Sequence, residues 1–126
     1  EGKVLEVGVG TGRCLKFYDP KQIDSYTGID WSPAMLLQAF EKVEELKTKK
    51  EFPFKEETKF DLVQADAHEL PFSDSEFDTV VDSFTLQSCY DMEAVVREMI
   101  RVTKPGGRLL LMSRGVSYVP VYNQYL

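Results

Sequence analysis

The sequence predicts an α/β fold in which a doubly wound, mostly parallel sheet lies between two layers of helices. The first observation behind this prediction is the alternation of short, apolar, β-rich runs with longer segments of helical periodicity. The second is the Ser32-Pro33 pair, which is typical of a helix start. Alternation of this kind implies right-handed crossovers, and ligands of such sheets bind at the carboxyl ends of the strands.

Five strands are predicted, each of them a short and mostly apolar run. They span residues 3–7, 25–30, 60–65, 77–84 and 108–113. A glycine turn stops the first strand, and charged or proline-containing loops at residues 50–59 and 66–76 separate later ones. The residues that carry chemistry are therefore expected just after strands one to four.

Three helices are predicted between these strands. A short helix over residues 11–18 places Leu15 and Tyr18 on one face. The second begins at Ser32-Pro33 and extends to about residue 49, with an apolar face formed by Leu36, Leu37, Phe40, Val43 and Leu46. The third is capped by Asp91 and ends at the KPGG sequence of residues 104–107, with apolar positions at Met92, Val95, Val96, Met99 and Ile100.

Length and composition indicate one ordinary globular domain over residues 1–126. The net charge of −6 counts against a nucleic-acid partner, because an acidic surface repels phosphate. No run reaches the roughly 18 apolar residues that a membrane span requires. Two cysteines and one histidine, in no metal-binding spacing, make a metal site implausible and favour free thiols in a reducing compartment, cytoplasm or mitochondrion.

Three glycines follow the first strand in the stretch VLEVGVGTGR, at Gly8, Gly10 and Gly12. The dinucleotide-binding fingerprint requires a third glycine where this chain has Arg13, so that template fails. Glu6 precedes the loop, and an acid so near it suits a cationic ligand better than a pyrophosphate. The stretch therefore predicts a loop against which a ligand with a positive charge lies.

Acidic residues also follow the second and third strands. Asp30 can accept hydrogen bonds from both hydroxyls of a ribose, and the adjacent Trp31 offers a flat apolar face to a purine. Asp66, beside the small residue Ala67, can accept a hydrogen bond from an exocyclic amine. Three acids at three successive strand ends predict a site for an adenosine-containing cofactor.

These stretches resemble a known family when they are taken in order: VLEVGVGTGR, YTGIDWSPAML, VQADAHELPFSDSEFDTVVDSFTLQSC and MIRVTKPGGRLLL. The chain is similar to class I S-adenosylmethionine-dependent methyltransferases of the type 11 group, which includes ubiquinone/menaquinone-biosynthesis-like enzymes. The resemblance covers nearly the whole chain. It implies a Rossmann-like, three-layer αβα fold with strand order 3-2-1-4-5 that lacks the last two strands of the family.

The resemblance also implies a cofactor, S-adenosyl-L-methionine, a product, S-adenosyl-L-homocysteine, and a role for each matching residue. Glu6 and the glycine loop would hold the methionine part, and Asp30 the ribose. The remaining assignments place Trp31 and Met35 near the adenine, Asp66 and Ala67 at its edge, and Ser83 and Phe84 toward the sulfonium and the substrate. The corresponding reaction is an in-line displacement in which the protein mainly aligns the reacting atoms.

A small-molecule acceptor is predicted, because DSFTLQSC lacks the N/D-P-P-Y/F pattern of amino methyltransferases that act on nucleic-acid bases or glutamine. No catalytic base is assigned: local hydrogen bonding is the favoured interpretation of His68, and Tyr90 and Asp91 are no more than helix-start residues. Two other functions stay open. One is a non-catalytic scaffold that binds the cofactor, and the other, which Arg13 and Glu6 disfavour, is an NAD-dependent oxidoreductase.

The end of the chain leads to two further expectations. Relatives continue beyond the fifth strand, so the chain is expected to be a fragment of a longer protein. The fifth strand would then be an open, apolar sheet edge, through which the chain could self-associate. The apolar and aromatic tail at residues 119–126 has no evident partner in the sequence.

Overall fold

The computed structural model describes residues 2–83, 85–112 and 117–120. The strands within these ranges are β1 (Gly2–Val7), β2 (Ile23–Asp30), β3 (Lys59–Gln64), β4 (Phe77–Asp82), β5 (Thr103–Leu111) and β6 (Ser117–Pro120). They form one sheet in the order β3-β2-β1-β4-β5-β6, in which β1 to β5 are parallel and β6 is antiparallel to β5. The predicted parallel order 3-2-1-4-5 is confirmed.

The edge of the sheet beside β5 differs from the prediction. Residues 117–120 pair with residues 111–108 of β5, so the expectation of an open edge at the fifth strand is wrong. The strand also begins at Thr103, before the KPGG sequence. That sequence forms a bulge, because Phe77 pairs with Thr103 whereas Thr79 pairs with Arg108.

The long helix α1 (Pro33–Thr48) begins where the sequence predicts. Ser32 Oγ accepts a hydrogen bond from the Met35 N–H at 3.2 Å, and Pro33 takes the first helical position. The buried face is narrower than predicted and consists of Leu36, Ala39, Val43 and Leu46. Leu37 and Phe40 are exposed, because the small Ala39 is the side chain that turns toward the sheet.

The predicted helix over residues 11–18 is wrong. The segment instead contains a single 3₁₀ turn, Leu15–Phe17, and another such turn follows at Pro20–Gln22. Gly12 has a φ of 81°, a left-handed conformation that ends any right-handed helix entering from the glycine loop. Leu15 is nevertheless fully buried, so the loop is anchored to the core.

The second helix α2 (Met92–Val102) covers the other face of the sheet. Its N-terminus is capped by Asp91 Oδ1, which accepts a hydrogen bond from the Ala94 N–H at 3.1 Å. Helix α2 packs with Leu5 of β1, whereas Val43 of α1 packs with Val4, the preceding residue of the same strand. Successive residues of a strand face opposite sides, so the helices lie on opposite faces and the predicted three layers are present. Within the described residues no helix is both long and apolar enough to cross a membrane.

Candidate functional site

A cavity of about 510 Å³ lies at the carboxyl ends of the first three strands. Its walls are Gly8, residues 29–32, residues 65–68, Thr85 and residues 88–90. Five of the predicted site residues lie in these walls: Gly8, Asp30, Trp31, Asp66 and Ala67. The structure therefore brings the ends of β1, β2 and β3 together around one space, as the parallel topology requires.

Gly8 forms the floor of the cavity between β1 and the turn after β4. Its φ is 76°, and a Cβ atom at this position would overlap Thr85 Oγ1. The Gly8 and Val9 N–H groups both donate to the carbonyl of Ile29 at 2.9 Å, and Thr85 Oγ1 donates to the carbonyl of Val7 at 3.0 Å. Only glycine lets the backbone approach Thr85 this closely.

Asp30 stands at the rim, at the end of β2. Its Oδ2 accepts a hydrogen bond from the Gly10 N–H and its Oδ1 accepts one from the Ser32 N–H, both at 2.9 Å. A carboxylate has about four lone-pair sites, so each oxygen keeps the capacity to accept another donor. The side chain is thus fixed by the backbone and still able to accept the two hydroxyls of a ribose.

Trp31 lies at the mouth of the cavity with 68% of its surface exposed. Its backbone is fixed, because the Gln64 side chain donates to its carbonyl at 3.1 Å. Met35, predicted near the adenine, lies on the exposed side of α1 and is not part of the cavity wall. Gly10 and Gly12 shape the loop but do not line the cavity either.

Asp66 lines the same cavity just after β3, and we call Asp30 and Asp66 the rim of the cavity. Its Oδ1 accepts hydrogen bonds from the His68 N–H at 2.9 Å and from His68 Nδ1 at 2.8 Å. The backbone bond, followed by the imidazole bond, lowers the pKa of Asp66 below its ordinary range. The carboxylate therefore stays ionised and is available as an acceptor at neutral pH. Ala67 beside it is buried in the cavity wall.

His68 and Tyr90 also line the cavity, although neither was predicted from the sequence to be a site residue. The His68 ring stacks on that of Tyr90, with centroids 3.8 Å apart and planes 14° apart. Its Nε2 accepts a hydrogen bond from the Asp91 N–H at 3.3 Å while Nδ1 bonds Asp66, an arrangement that requires the Nδ1–H tautomer. Both ring nitrogens are therefore engaged in local hydrogen bonding, as the sequence analysis favoured.

Glu6, predicted to hold the charged end of a ligand, lies outside the cavity wall and is completely buried. Its Oε1 accepts hydrogen bonds from Tyr18 OH at 2.9 Å and Tyr26 OH at 2.7 Å. Its Oε2 accepts a short bond from Ser83 Oγ. Burial raises the pKa of Glu6 although all three hydroxyls oppose the increase. The structure thus encloses the Glu6 carboxyl group in hydrogen bonds to three hydroxyls, and its contact with the charged end of a ligand stays a prediction.

Ser83 follows β4 directly and is tied to β1. Its N–H donates to the carbonyl of Val7 at 3.0 Å, and its hydroxyl is the one that bonds Glu6. The turn after it is held by Asp82, whose Oδ1 accepts a hydrogen bond from the Thr85 N–H at 2.8 Å. Phe84, the other residue predicted here, lies outside the described residues.

The charge of the cavity distinguishes between ligand classes. Its described wall contains the carboxylates of Asp30 and Asp66 and no lysine or arginine. A pyrophosphate would meet two negative charges there without a compensating cation, whereas hydroxyls, amines and cations would meet acceptors. The described residues also include no cluster of three or more His, Cys, Asp or Glu that could bind a metal ion.

Comparisons with known proteins agree with this geometry. A family model described as "Methyltransferase domain" matches residues 5–111. The chain is 46% identical over 112 residues to phosphatidylethanolamine N-methyltransferase of Cereibacter sphaeroides, covering 89% of this chain and 50% of that relative. It is 33% identical over 128 residues to demethylmenaquinone methyltransferase of Paenarthrobacter aurescens, covering 98% and 45%.

A solved structure of an S-adenosylmethionine-dependent methyltransferase from Methanosarcina mazei is similar as well. Its TM-score is 0.70 and its sequence identity 29%, over 86% of this chain and 50% of that one. The chain thus spans no more than half the length of these relatives.

Proposed function

Since this chain belongs to the methyltransferase domain family, we propose that it binds S-adenosylmethionine and transfers the methyl group to a small-molecule acceptor. Membership of the family and its cofactor agree with the resemblance found in the sequence. The single observation that carries the proposal is that Gly8, Asp30 and Asp66 line one cavity at the carboxyl ends of β1, β2 and β3.

The residues around this cavity suit the cofactor in size and chemistry. A volume of about 510 Å³ lies within the roughly 300–1,000 Å³ of small-molecule sites. Asp30 would accept the ribose hydroxyls and Asp66 the exocyclic amine of the adenine. Trp31 would cover a face of the purine, and Gly8 would let Thr85 pack against the backbone of the cavity wall, an approach that a Cβ atom prevents.

When bound, the cofactor supplies an electrophilic methyl group on a sulfonium. The contribution of the protein is to orient the reactants, because the leaving group departs neutral and alignment accounts for much of the rate. We assign no general base, since both nitrogens of His68 are already engaged.

The acceptor is proposed only as a class. The two relatives are named for phosphatidylethanolamine and demethylmenaquinone, and from those names we extend to this chain no more than a small-molecule acceptor. The carboxylates at the cavity rim support this choice over a nucleic acid, because they would repel its phosphates.

Calorimetry with S-adenosylhomocysteine and with NAD tests the proposal. We expect S-adenosylhomocysteine to bind and NAD not to bind. Asp30→Ala should weaken the binding of S-adenosylhomocysteine by about 1.5–3 kcal/mol, roughly tenfold to 150-fold in affinity. Asp24→Ala is the matched control, because this exposed acid lies at the amino end of the same strand and its loss should leave affinity unchanged. Binding of NAD alone, or an unchanged affinity in Asp30→Ala, would refute the assignment.

A non-catalytic scaffold is the second candidate, and the engagement of both nitrogens of His68 favours it, because this imidazole lines the cavity but has no free nitrogen to act as a base. Methyl transfer to an acceptor that already carries a lone pair needs no such base. Binding of S-adenosylhomocysteine together with no turnover across amine, thiol and phenol acceptors would support the scaffold over the enzyme.

A further inference from the structure

Four side chains form a buried hydrogen-bond network beneath the glycine loop. They are Glu6, Tyr18, Tyr26 and Ser83, and we call them the carboxyl–hydroxyl network. The carboxylate is its centre, with two tyrosine hydroxyls on Oε1 and the serine hydroxyl on Oε2. The network connects β1, β2, the segment after the glycine loop and the end of β4.

The tyrosine rings of the network are held by their surroundings. The Tyr18 and Tyr26 rings meet edge to face, with centroids 5.4 Å apart. Tyr26 also stacks on Phe60 with a centroid distance of 5.0 Å, and both tyrosines contact the ring of Phe54. Their hydroxyls therefore reach Glu6 from rings that are themselves fixed by aromatic packing.

The network clamps the segments that form the cavity floor. Glu6 and Tyr18 lie on the two sides of the loop at residues 8–12, so their bond closes the base of that loop. Ser83 precedes the turn that carries Thr85, and Thr85 is the side chain that meets the backbone at Gly8. A carboxylate outside the cavity wall thus controls two pieces of that wall.

We propose that Glu6 is a positioning residue, which acts on the bound cofactor by holding the loop at residues 8–12 and the turn at Ser83 through shared hydrogen bonds, and not through its charge. This inference rests on the proposed function, because it concerns the site for the same cofactor. In this proposal an indirect role takes the place of the direct contact that the sequence predicts between Glu6 and the cationic end of the ligand.

A neutral isostere separates geometry from charge. In Glu6→Gln the carboxamide oxygen can still accept from both tyrosines, and the amide N–H₂ can donate to Ser83 Oγ, whose proton turns elsewhere. Glu6→Ala removes all three bonds and leaves buried hydroxyls unpaired. Glutamine therefore preserves the positioning role, whereas a role through charge would be lost equally in both variants.

The test measures S-adenosylhomocysteine affinity by calorimetry on the full chain, beside the free energy of unfolding in urea. We expect Glu6→Gln to stay within about threefold of the parent and Glu6→Ala to lose about tenfold or more, as one to three lost hydrogen bonds allow. Tyr18→Phe, which removes one bond and keeps the ring, should fall between them. Val43→Ala is the stability control, because it opens the core cluster that holds the tyrosine rings and removes none of the hydrogen bonds of the network.

The outcomes separate the two proposals. Equal losses in Glu6→Gln and Glu6→Ala would show that charge acts and would overturn the positioning role. If Glu6→Ala does not fold, Tyr18→Phe decides: a weakening that Val43→Ala does not reproduce supports the inference, and unchanged affinity refutes it. Failure of the parent chain to bind S-adenosylhomocysteine would instead refute the proposed function.

Discussion

The acids at the carboxyl ends of β1 and β2 lie in neighbouring strands but in opposite environments. Glu6 is fully buried and receives hydrogen bonds from three hydroxyls. Asp30 lies on the cavity rim and receives its bonds from two backbone N–H groups. The position at a strand end brings an acid to the site, but the donors around it decide whether it supports the site or remains open to a ligand.

The largest effect is expected from a substitution at Gly8, which follows the strand of Glu6 and lines the same cavity as Asp30. Gly8→Ala should destabilise the fold by about 3 kcal/mol, because a positive φ costs an L-residue about 1–2 kcal/mol and the overlap with Thr85 adds to it. It should also abolish detectable binding of S-adenosylhomocysteine. Urea unfolding and calorimetry measure the two effects.

Gly106→Ala is the control for that experiment. Gly106 also has a positive φ, of 82°, but nothing lies within 4 Å of its Cβ position. Its substitution should cause the backbone strain alone, about 1–2 kcal/mol, and leave the cavity intact. Equal losses in the two variants would mean that contact with Thr85 contributes nothing.

The next effect concerns how the rim is held. The loop that follows Asp66 is fastened to α2 by Arg101, which donates to the carbonyls of Leu70 and Phe72 and to the carboxylates of Asp74 and Glu98. Hydrogen bonds from this guanidinium are the main reason that the pKa of Glu98 is lowered. The loop after Asp66 thus depends on hydrogen bonds from a charged guanidinium, whereas the carboxyl–hydroxyl network depends on neutral hydroxyls.

Arg101→Met keeps much of the aliphatic packing and removes these donors. We expect a loss of about 2 kcal/mol in urea unfolding, because two carbonyls and two carboxylates lose their partner. Arg97→Met is the matched control: Arg97 is exposed and, among the described residues, bonds only Glu93 on its own helix, so its loss should stay within about 0.5 kcal/mol. Similar losses in the two variants would contradict a role for Arg101 in fixing the rim.

Local chemistry made much of the fold and the rim predictable. The Ser32-Pro33 start of α1 and the parallel order of five strands depend on nearby residues and on topology rules, and both are confirmed. Asp30 and Asp66 were identified by their positions at strand ends, and the structure brings them to one cavity. Their cofactor-binding roles remain predictions.

Features that depend on distant partners could not be predicted in the same way. Glu6 is buried because Tyr18, Tyr26 and Ser83 converge on it, and these residues lie 12, 20 and 77 positions away. The prediction of a helix over residues 11–18 was wrong, because the apolar spacing of these residues does not reveal the left-handed backbone of the glycine loop. Pairing of β6 with β5 likewise depends on a return of the chain that the apolar run did not indicate.

The smallest expected effect is on the pH dependence of stability, because the pKa values of Glu6 and Asp66 are shifted in opposite directions. Burial raises the pKa of Glu6 above 4.5, whereas the bonds from His68 lower the pKa of Asp66 below 3.8. Glu6 thus contributes stability that is fully present below pH 4.5 and is lost as the pH rises through its raised pKa. Asp66 contributes stability that is present above pH 3.8 and is lost as the pH falls through its lowered pKa.

Neutral isosteres measure each contribution by urea unfolding across pH. The stability of Glu6→Gln relative to the parent should increase as the pH rises above 4.5, because the variant has no buried charge to form. Asp66→Asn should be less stable than the parent at pH 7, by less than about 1 kcal/mol since solvent screens this exposed side chain, and the deficit should vanish in acid. Parallel curves for the two variants would mean that burial does not distinguish these acids, and the comparison between rim and network would fail.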